Sequence, residues 1–213
     1  MTGLLPPEGL ADALGGQQVA RDTVERLTVL SDLLARWNPT VNLVAKSTLP
    51  DRWARHILDS AQIFAYAPPS ATRWADLGSG GGFPGLVVAA IAVDLRPTLQ
   101  VTLVESDQRK AAFLREASRT LGLVTTVIVG RVESIPSLAA EVLSARALAP
   151  LSQLLGLSVR HLVPSGTALF MKGASHLAEI AEAKKLWAFD LASHPSKTDR
   201  QAVTLCLTGI RHV

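Results

Sequence analysis

The sequence contains a single cysteine, Cys206, and only 5% of its 213 residues are aromatic. One thiol excludes a disulfide within the chain, a cysteine cluster that holds a metal, and catalysis by a pair of cysteines. Because Cys206 lies in the apolar run VTLCL, we predict a strand residue and not a nucleophile. The four histidines of the C-terminal half lack the spacing of zinc ligands, so we expect no metal.

The sequence also lacks a long hydrophobic run and a basic leader. Its longest apolar runs, such as residues 86–93, are much shorter than the about 20 residues that cross a bilayer. The first ten residues, MTGLLPPEGL, have no basic segment and are interrupted by Pro6 and Pro7. We therefore expect no signal peptide, no membrane partner and a cytoplasmic protein.

The composition is that of a globular chain with a small excess of positive charge. Hydrophobic residues make up 48%, which is enough for a sizeable core, and the net charge is +3. Fifteen of the 21 cationic residues are arginine, a residue that pairs with phosphate through two hydrogen bonds. This bias is compatible with RNA binding, although arginines on a solvated surface are the commoner explanation.

The most informative segment is WADLGSGGGFPG, residues 74–85. A short apolar run is followed by glycines, as in a turn from a strand to a helix that passes close to a ligand. From Gly80 the glycines have the spacing G-x-G-x-x-G of dinucleotide-binding folds. From Asp76 they have the spacing D-x-G-x-G-x-G of enzymes that use S-adenosylmethionine (SAM). The choice between the two patterns decides between hydride transfer and methyl transfer.

The surroundings of the glycines favour the SAM pattern. Phe83 and Pro84 occupy the start of the next helix, where a dinucleotide would need room for its pyrophosphate, and SAM carries no phosphate. A second apolar run, residues 101–104, ends at Glu105, twenty residues beyond Gly85. An acid at this distance suits the two hydroxyls of a ribose. Since SAM and NAD both contain that ribose, Glu105 alone does not distinguish them.

The N-terminal part of the chain has a helical pattern. Apolar residues recur at helical spacing over residues 19–37, and we expect Asn38-Pro39 to end this helix, because the residue before a proline disfavours the α conformation. A second helix is predicted over residues 51–66, with Thr48 as its candidate cap. The proline-rich segment 67–70 then serves as a linker.

Beyond this linker, strand and helix patterns alternate. Alternation predicts a mostly parallel sheet with helices on both faces and the ligand at the carboxyl ends of the strands. Two successive strands at the end, joined by a short turn at residues 194–199, predict an antiparallel hairpin at the sheet edge. A seven-stranded sheet with such a hairpin is typical of the α/β, Rossmann-like fold of class I SAM-dependent methyltransferases. The predicted strands are residues 73–77, 100–105, 124–129, 141–145, 166–172, 186–192 and 201–208, and the helices are residues 84–93, 107–121, 150–162 and 174–185.

We therefore expect two parts that pack as one compact unit. Residues 1–70 form a short helical N-terminal cap, and residues 71–213 form the SAM-binding methyltransferase domain.

Several short motifs occur together along the chain. RHILDS at residues 55–60 precedes DLGSGGGFPG at residues 76–85, and LVES, GRVE, SARA and MKG follow. In this combination the chain resembles the RsmG/GidB family, the bacterial 16S ribosomal RNA guanine-N7 methyltransferases, nearly from end to end. Two features depart from the family pattern: Glu141 and Ser-Ala-Arg-Ala stand where the fourth strand usually has Asp and Ser-Arg-Ala, and the last strand is unusually apolar.

The resemblance implies a set of SAM contacts in three loops. Gly78 and Phe83 would border the methionine part and the ribose. A backbone amide at Val132 or Glu133 would read the ring edge of adenine. Arg146 would approach the methionyl carboxylate or the substrate pocket. The complete predicted cofactor set is Asp76, Gly78, Gly80, Phe83, Glu105, Val132, Glu133 and Arg146.

The absence of motifs for other methylation chemistries agrees with methylation at guanine N7. The tetrapeptide N/D-P-P-Y/F of amino-group methyltransferases is replaced by ALAP at residues 147–150. Guanine N7 presents a lone pair without a proton, so no general base has to act, and we predict no catalytic side chain. The protein must instead align the nitrogen, the methyl carbon and the sulfur, since orientation alone supplies roughly 7–11 kcal/mol in favourable cases.

The resemblance also implies a partner, 16S ribosomal RNA or the 30S subunit. Asn42, Arg55 and His56 are candidates for the RNA-base pocket, although a packing histidine that fastens the helical cap is the favoured interpretation of His56. Lys172 would meet a phosphate, or it is a lysine whose apolar stem is buried. Two alternative functions stay open: a SAM enzyme with a small-molecule substrate, and a non-catalytic Rossmann-type nucleotide-binding module. Substrate affinity that is insensitive to salt would favour the small molecule.

Overall fold

A seven-stranded sheet organises the computed structural model, which describes residues 9–213. The strand order is β3-β2-β1-β4-β5-β7-β6; β1 to β5 are parallel, and β7 pairs antiparallel with both β5 and β6. The strands are β1 (Arg73–Leu77), β2 (Gln100–Glu105), β3 (Thr125–Val129), β4 (Ala140–Arg146), β5 (Leu162–Lys172), β6 (Trp187–Pro195) and β7 (Val203–His212). The α-helices are α1 (Leu10–Ala13), α2 (Arg21–Val41), α3 (Asp59–Ala61), α4 (Gly85–Leu95), α5 (Gln108–Thr120), α6 (Leu151–His161) and α7 (His176–Ala183).

The two faces of the sheet carry separate hydrophobic clusters. Successive residues of a strand point to opposite faces, so Trp74 of β1 packs in one cluster and Ala75 in the other. The first cluster takes its helical side chains from α1 to α5, and the second takes them from α6 and α7. The predicted class I methyltransferase fold, with its terminal antiparallel hairpin, is therefore confirmed.

Helix α2 corrects the prediction that Asn38-Pro39 ends the first helix. The helix continues through Pro39 to Val41 and ends at Asn42, whose φ of 55° is left-handed. The buried side chain of Asn38 binds the backbone just beyond the end of the helix. Its Nδ2 donates to the Val44 carbonyl at 3.1 Å, and its Oδ1 accepts from the Val44 N–H at 2.8 Å. These two bonds fix the chain where it leaves the helix. The last turn therefore tolerates the loss of the hydrogen bond that Pro39 cannot donate.

The prediction of one regular helix over residues 51–66 is also wrong. A π-helical turn at Trp53–Leu58 leads into α3, and a 3-10 turn at Gln62–Tyr66 follows. Thr48 does not cap this stretch but belongs to a separate 3-10 turn, Lys46–Thr48. Single π turns are frequent at functional sites, and this one carries two of the residues predicted for the base pocket, Arg55 and His56.

The N-terminal helices share a continuous core with the sheet. Leu27, Leu30 and Leu34 of α2 belong to the same hydrophobic cluster as α4 and α5, and the ring of Trp37 meets that of Phe113 edge-on at 5.7 Å. The division of the chain near residue 70 stays a prediction. The expectation of no signal peptide concerns the first ten residues, of which residues 1–8 lie outside the described part.

Within residues 9–213, no helix is both long and apolar enough to cross a membrane. The same residues contain no group of three histidine, cysteine, aspartate or glutamate side chains arranged for a metal ion.

Candidate functional site

A cavity of about 1350 Å³ opens at the carboxyl ends of the parallel strands. The glycine loop after β1, the loops after β2, β3 and β4, and the turn between β6 and β7 all contribute to its wall. Two predicted residues do not line it: Asp76 lies beneath the glycine loop, and Asn42 is exposed at the end of α2. The predicted residues that do line the cavity are Arg55, His56, Gly78, Gly80, Phe83, Glu105, Val132, Glu133, Arg146 and Lys172.

Asp76 anchors the glycine loop from below. Its carboxylate is fully buried; Oδ2 accepts the Gly85 N–H at 3.2 Å, and Oδ1 accepts the Ser144 hydroxyl at 2.6 Å. Gly85 has no room for a side chain, because a Cβ there would collide with Leu103 and with Asp76 itself. Burial raises the pKa of Asp76 to about 6. Asp76 and Gly85 thus fix the start of α4 against the sheet without reaching the cavity.

Gly78 brings the backbone to the cavity surface. Its φ is +64°, and a Cβ at this position would lie 2.6 Å from Cδ1 of Leu148, on the opposite wall of the cavity. A side chain here would therefore occupy the space between the glycine loop and the loop after β4. This narrow gap leaves little room for a bulky, doubly charged pyrophosphate.

Glu105 ties two loops together at the end of β2. Oε2 accepts the Gly80 N–H at 2.8 Å, and Oε1 accepts the Asp107 N–H at 2.8 Å. Asp107 in turn caps α5 by accepting the N–H groups of Arg109 and Lys110. Each oxygen of Glu105 keeps a second lone pair, so the carboxylate has the capacity to accept two hydroxyl groups from the cavity side.

The ring of His56 is held in one tautomer by its neighbours. The Thr48 hydroxyl has one proton and donates it to the Ala45 carbonyl at 2.7 Å, so it accepts from Nε2–H of His56 at 2.8 Å. Nδ1 accepts from Nη2 of Arg146 at 3.2 Å. Burial, and then the charges of Arg146 and Arg55, lower the pKa of His56 to about 4. The imidazole is therefore neutral, and neither nitrogen is available as a base.

Phe83 forms the floor beneath His56 and Arg146. The Phe83 and His56 rings stack with centroids 5.1 Å apart, and the Arg146 guanidinium lies 5.1 Å from the Phe83 centroid. Phe83 is largely buried and still lines the cavity beside these two polar groups. His56 and Arg146, which come from two distant segments of the chain, thus help to fix the position of Phe83 in the glycine loop.

Asp59 joins three parts of the chain at this surface. Its carboxylate lies 3.6 Å from Nη1 of Arg146 and accepts the hydroxyls of Ser196 and Thr198 at 3.1 and 2.9 Å. Arg55 pairs with Asp199 of the same β6–β7 turn at 2.8 Å. These turn residues could not be predicted from the sequence, because no local pattern relates them to a helical stretch about 140 positions earlier.

Lys172 lies at the cavity wall with its charge paired. Nζ donates to Glu179 at 2.7 Å and to the Ala149 carbonyl at 2.7 Å, and its side chain is 9% exposed. Glu179 also accepts the Leu151 N–H at the start of α6. Both contacts of Nζ are compatible with a lysine whose apolar stem is buried. A phosphate would have to compete with Glu179 for the ammonium group.

The match to a family model extends over most of the chain. Residues 23–206 match the GidB model, described as rRNA small subunit methyltransferase G. The chain is 50% identical over 195 residues to the ribosomal RNA small subunit methyltransferase G of Ruegeria pomeroyi, covering 92% of this chain and 95% of that protein. It is 50% identical to the protein of the same name from Paracoccus denitrificans, covering 91% of this chain and 98% of the relative.

The fold also matches solved structures of low sequence similarity. A SAM-dependent methyltransferase from Aquifex aeolicus superposes with a TM-score of 0.57 at 12% identity, covering 74% of this chain and 92% of that chain. At this identity the likeness establishes the architecture and nothing about individual residues.

Proposed function

Since the chain belongs to the GidB family of ribosomal RNA small subunit methyltransferases, it is a SAM-dependent methyltransferase of ribosomal RNA, and we propose that it methylates guanine N7. The proposed target lies in the decoding-region loop of 16S ribosomal RNA. The observation that carries the proposal is the 50% identity over 195 residues, together with the family match over residues 23–206, a range that includes every segment of the cavity wall. Family membership also favours ribosomal RNA over a small-molecule substrate or a non-catalytic nucleotide-binding module.

We assign the cofactor to the glycine-loop side of the cavity. SAM supplies a methyl group that its sulfonium has already activated. Glu105 accepts the ribose hydroxyls, Gly78 and Phe83 border the ribose and the methionine part, and the loop at Val132 and Glu133 receives the adenine. The narrow gap at Gly78 and the lone pairs of Glu105 support this placement.

Arg146 serves the negatively charged end of the cofactor in this assignment. Its guanidinium is held by Asp59, by the Arg55 carbonyl at 3.2 Å and by His56, so it cannot swing out of the wall. A cation fixed in this way offers a carboxylate a preformed partner. Asn42, Arg55, His56 and Lys172 stay candidates for contact with the RNA, with His56 contributing a ring surface and not a proton.

The reaction requires alignment and no proton transfer by the protein. The lone pair of N7 lies in the plane of the base, and the cavity must hold it in line with the methyl carbon and the sulfur. The occupied nitrogens of His56 and the paired ammonium of Lys172 are consistent with this chemistry. We propose no general base.

The target base must leave its helix to reach the cavity. N7 lies on the major-groove edge, which is deep and narrow in A-form RNA, so the guanine has to lie in a loop or be splayed out. We propose the cytoplasm, where small subunits assemble, as the place of reaction. Methylation of deproteinised 16S RNA and of 30S particles from a strain that lacks the enzyme distinguishes the two substrate forms.

The product is tested by measuring 7-methylguanosine in 16S RNA from cells with and without the enzyme. Borohydride–aniline cleavage or mass spectrometry should detect the modification in the decoding-region loop only where the enzyme is present. Equal 7-methylguanosine content in both strains would make the assigned target wrong, even if the protein binds SAM.

The ribose assignment predicts a large effect of Glu105→Gln. A charged acceptor contributes about 1.5–3 kcal/mol to a hydrogen bond, which corresponds to roughly ten- to a hundredfold in affinity. The amide would also turn an N–H₂ group toward Gly80 or Asp107, both of which donate to this side chain. We expect calorimetry with SAM to show a weakening near the upper end of that range.

Glu141→Gln is the matched control for this change. Glu141 also accepts two backbone N–H groups, those of Thr72 and Arg73, but it lies at the opposite end of the sheet and does not line the cavity. It should lower the stability and leave the dissociation constant for SAM unchanged. An unchanged dissociation constant in Glu105→Gln would move the ribose to another acceptor, with Asp107 the next candidate.

A further inference from the structure

His161 is a buried ionisable residue that supports the cavity from behind. It is the last residue of α6, its side chain is fully buried, and Nε2 lies 3.0 Å from the carbonyl oxygen of Val132. Nδ1 has no hydrogen-bond partner in residues 9–213. A carbonyl oxygen only accepts a hydrogen bond, so Nε2 carries a proton. Burial lowers the pKa of His161 and so favours the neutral ring. His161 therefore donates to Val132.

This hydrogen bond fixes the direction of the next peptide group. The Val132 carbonyl and the Glu133 N–H belong to one planar trans unit, in which they point in opposite directions. Because the carbonyl turns toward buried His161, the N–H turns away from it, and both residues line the cavity. No backbone or side-chain acceptor in the described part of the chain receives the Glu133 N–H. A donor is thus left for a ligand.

The neighbouring residue of α6 holds the same loop. Nη2 of Arg160 donates to the Ile135 carbonyl at 2.8 Å, so the end of α6 binds two carbonyls of the loop after β3. The loop is held at the Val132 carbonyl, within the peptide unit of the Glu133 N–H, and again at the Ile135 carbonyl. These two hydrogen bonds keep the outward N–H in one orientation.

We propose that His161 is a positioning residue for the cofactor, aiming the Glu133 N–H at N1 of adenine by holding the Val132 carbonyl. This inference rests on the proposed function, which places adenine at this loop. N1 of adenine accepts a hydrogen bond, whereas N1 of hypoxanthine carries a proton and meets the Glu133 N–H donor to donor. The site should therefore prefer S-adenosylhomocysteine to S-inosylhomocysteine.

The test compares two amide replacements of His161 by calorimetric titration with both nucleosides. In His161→Gln the amide nitrogen lies about where Nε2 lies and can still donate to Val132, whereas the shorter side chain of His161→Asn ends about where Nδ1 lies. We expect the Gln variant to keep the wild-type preference. The Asn variant should bind S-adenosylhomocysteine about three- to tenfold more weakly, the range of one hydrogen bond, and lose much of the base preference.

Ser158→Ala is the matched control within α6. Ser158 is buried one turn before His161, and its hydroxyl donates only to the Leu154 carbonyl of the same helix. This variant should change the thermal stability without changing either affinity. A histidine with a purely structural role would behave in the same way.

The outcomes separate the inference from the proposed function. Equal affinities of the Gln and Asn variants for S-adenosylhomocysteine would overturn the positioning role of His161. The wild-type protein tests the N1 contact without any variant: equal binding of the two nucleosides makes that contact wrong and leaves methyl transfer intact. If the wild-type protein binds neither nucleoside, both the inference and the proposed cofactor site fail.

Discussion

Arginine in place of Gly78 is expected to abolish SAM binding while the sheet still forms. The new Cβ would lie 2.6 Å from Leu148 Cδ1, and the rest of the side chain would fill the gap between the glycine loop and the loop after β4. We expect the dissociation constant measured by calorimetry to rise more than about a hundredfold, a loss of about 2.8 kcal/mol or more. Circular dichroism should show unchanged secondary structure.

Gly122→Arg separates the steric effect from backbone strain. Gly122 has the same φ of +64°, but no atom lies within 4 Å of its Cβ position, and it lies outside the cavity. Both variants carry the left-handed strain of about 1–2 kcal/mol, so both should lose similar stability. Only Gly78→Arg should lose SAM. Equal loss of binding in the two variants would assign the effect to strain, and normal binding in Gly78→Arg would place the cofactor elsewhere.

Two buried groups are expected to give the protein opposite pH dependences that cancel. The pKa of Asp76 is raised from 3.8 to about 6, so between these values the folded state holds a proton that the unfolded state has released. Its contribution to the free energy of unfolding therefore falls as the pH rises from about 4 to about 6. The pKa of His56 is lowered from 6.5 to about 4, so the unfolded state binds the proton and stability rises with pH.

Each group contributes about 3 kcal/mol over this window, since one pKa unit corresponds to about 1.4 kcal/mol. Urea unfolding between pH 4.5 and 7 should thus show a small net dependence on these groups in the wild type. Relative to the wild type, Asp76→Asn should gain stability with rising pH, because the rise from His56 is then unopposed. His56→Gln should lose stability with rising pH, because only the fall from Asp76 remains.

Comparing each variant with the wild type cancels the pH dependence of stability that comes from the carboxylates all three proteins share. Asp107, Glu141, Glu179 and Asp199 have lowered pKa values and titrate in acid in every variant. Three parallel stability curves would contradict the assigned charge states of Asp76 and His56. A single deviating curve would identify which of the two is wrong.

The sheet could be predicted from the sequence because its strands are short apolar runs with clear ends. β1 and β2 have the predicted bounds, and the glycine loop lies where the spacing from Asp76 placed it. In such segments local pattern and tertiary burial require the same conformation. The pattern therefore carried enough information to locate the glycine loop and Glu105 at one cavity.

The N-terminal helices were harder to predict because tertiary contacts override local preference there. Asn38 satisfies the chain beyond Pro39 through its side chain, which a rule about the residue before proline does not include. The π turn at Trp53–Leu58 leaves no periodic signature over so few residues. Contacts of Asp59 with Ser196 and Thr198 depend on how the hairpin folds back.

The position of β7 determines when during synthesis the enzyme becomes competent. β7 lies between β5 and β6, so the sheet cannot be completed before residues 203–212 have left the ribosome. The turn that precedes β7 supplies the partners of Asp59 and Arg55. These partners are synthesised about 140 residues later than Asp59 and Arg55. A nascent chain that still lacks this turn would therefore hold a cavity with an incomplete wall.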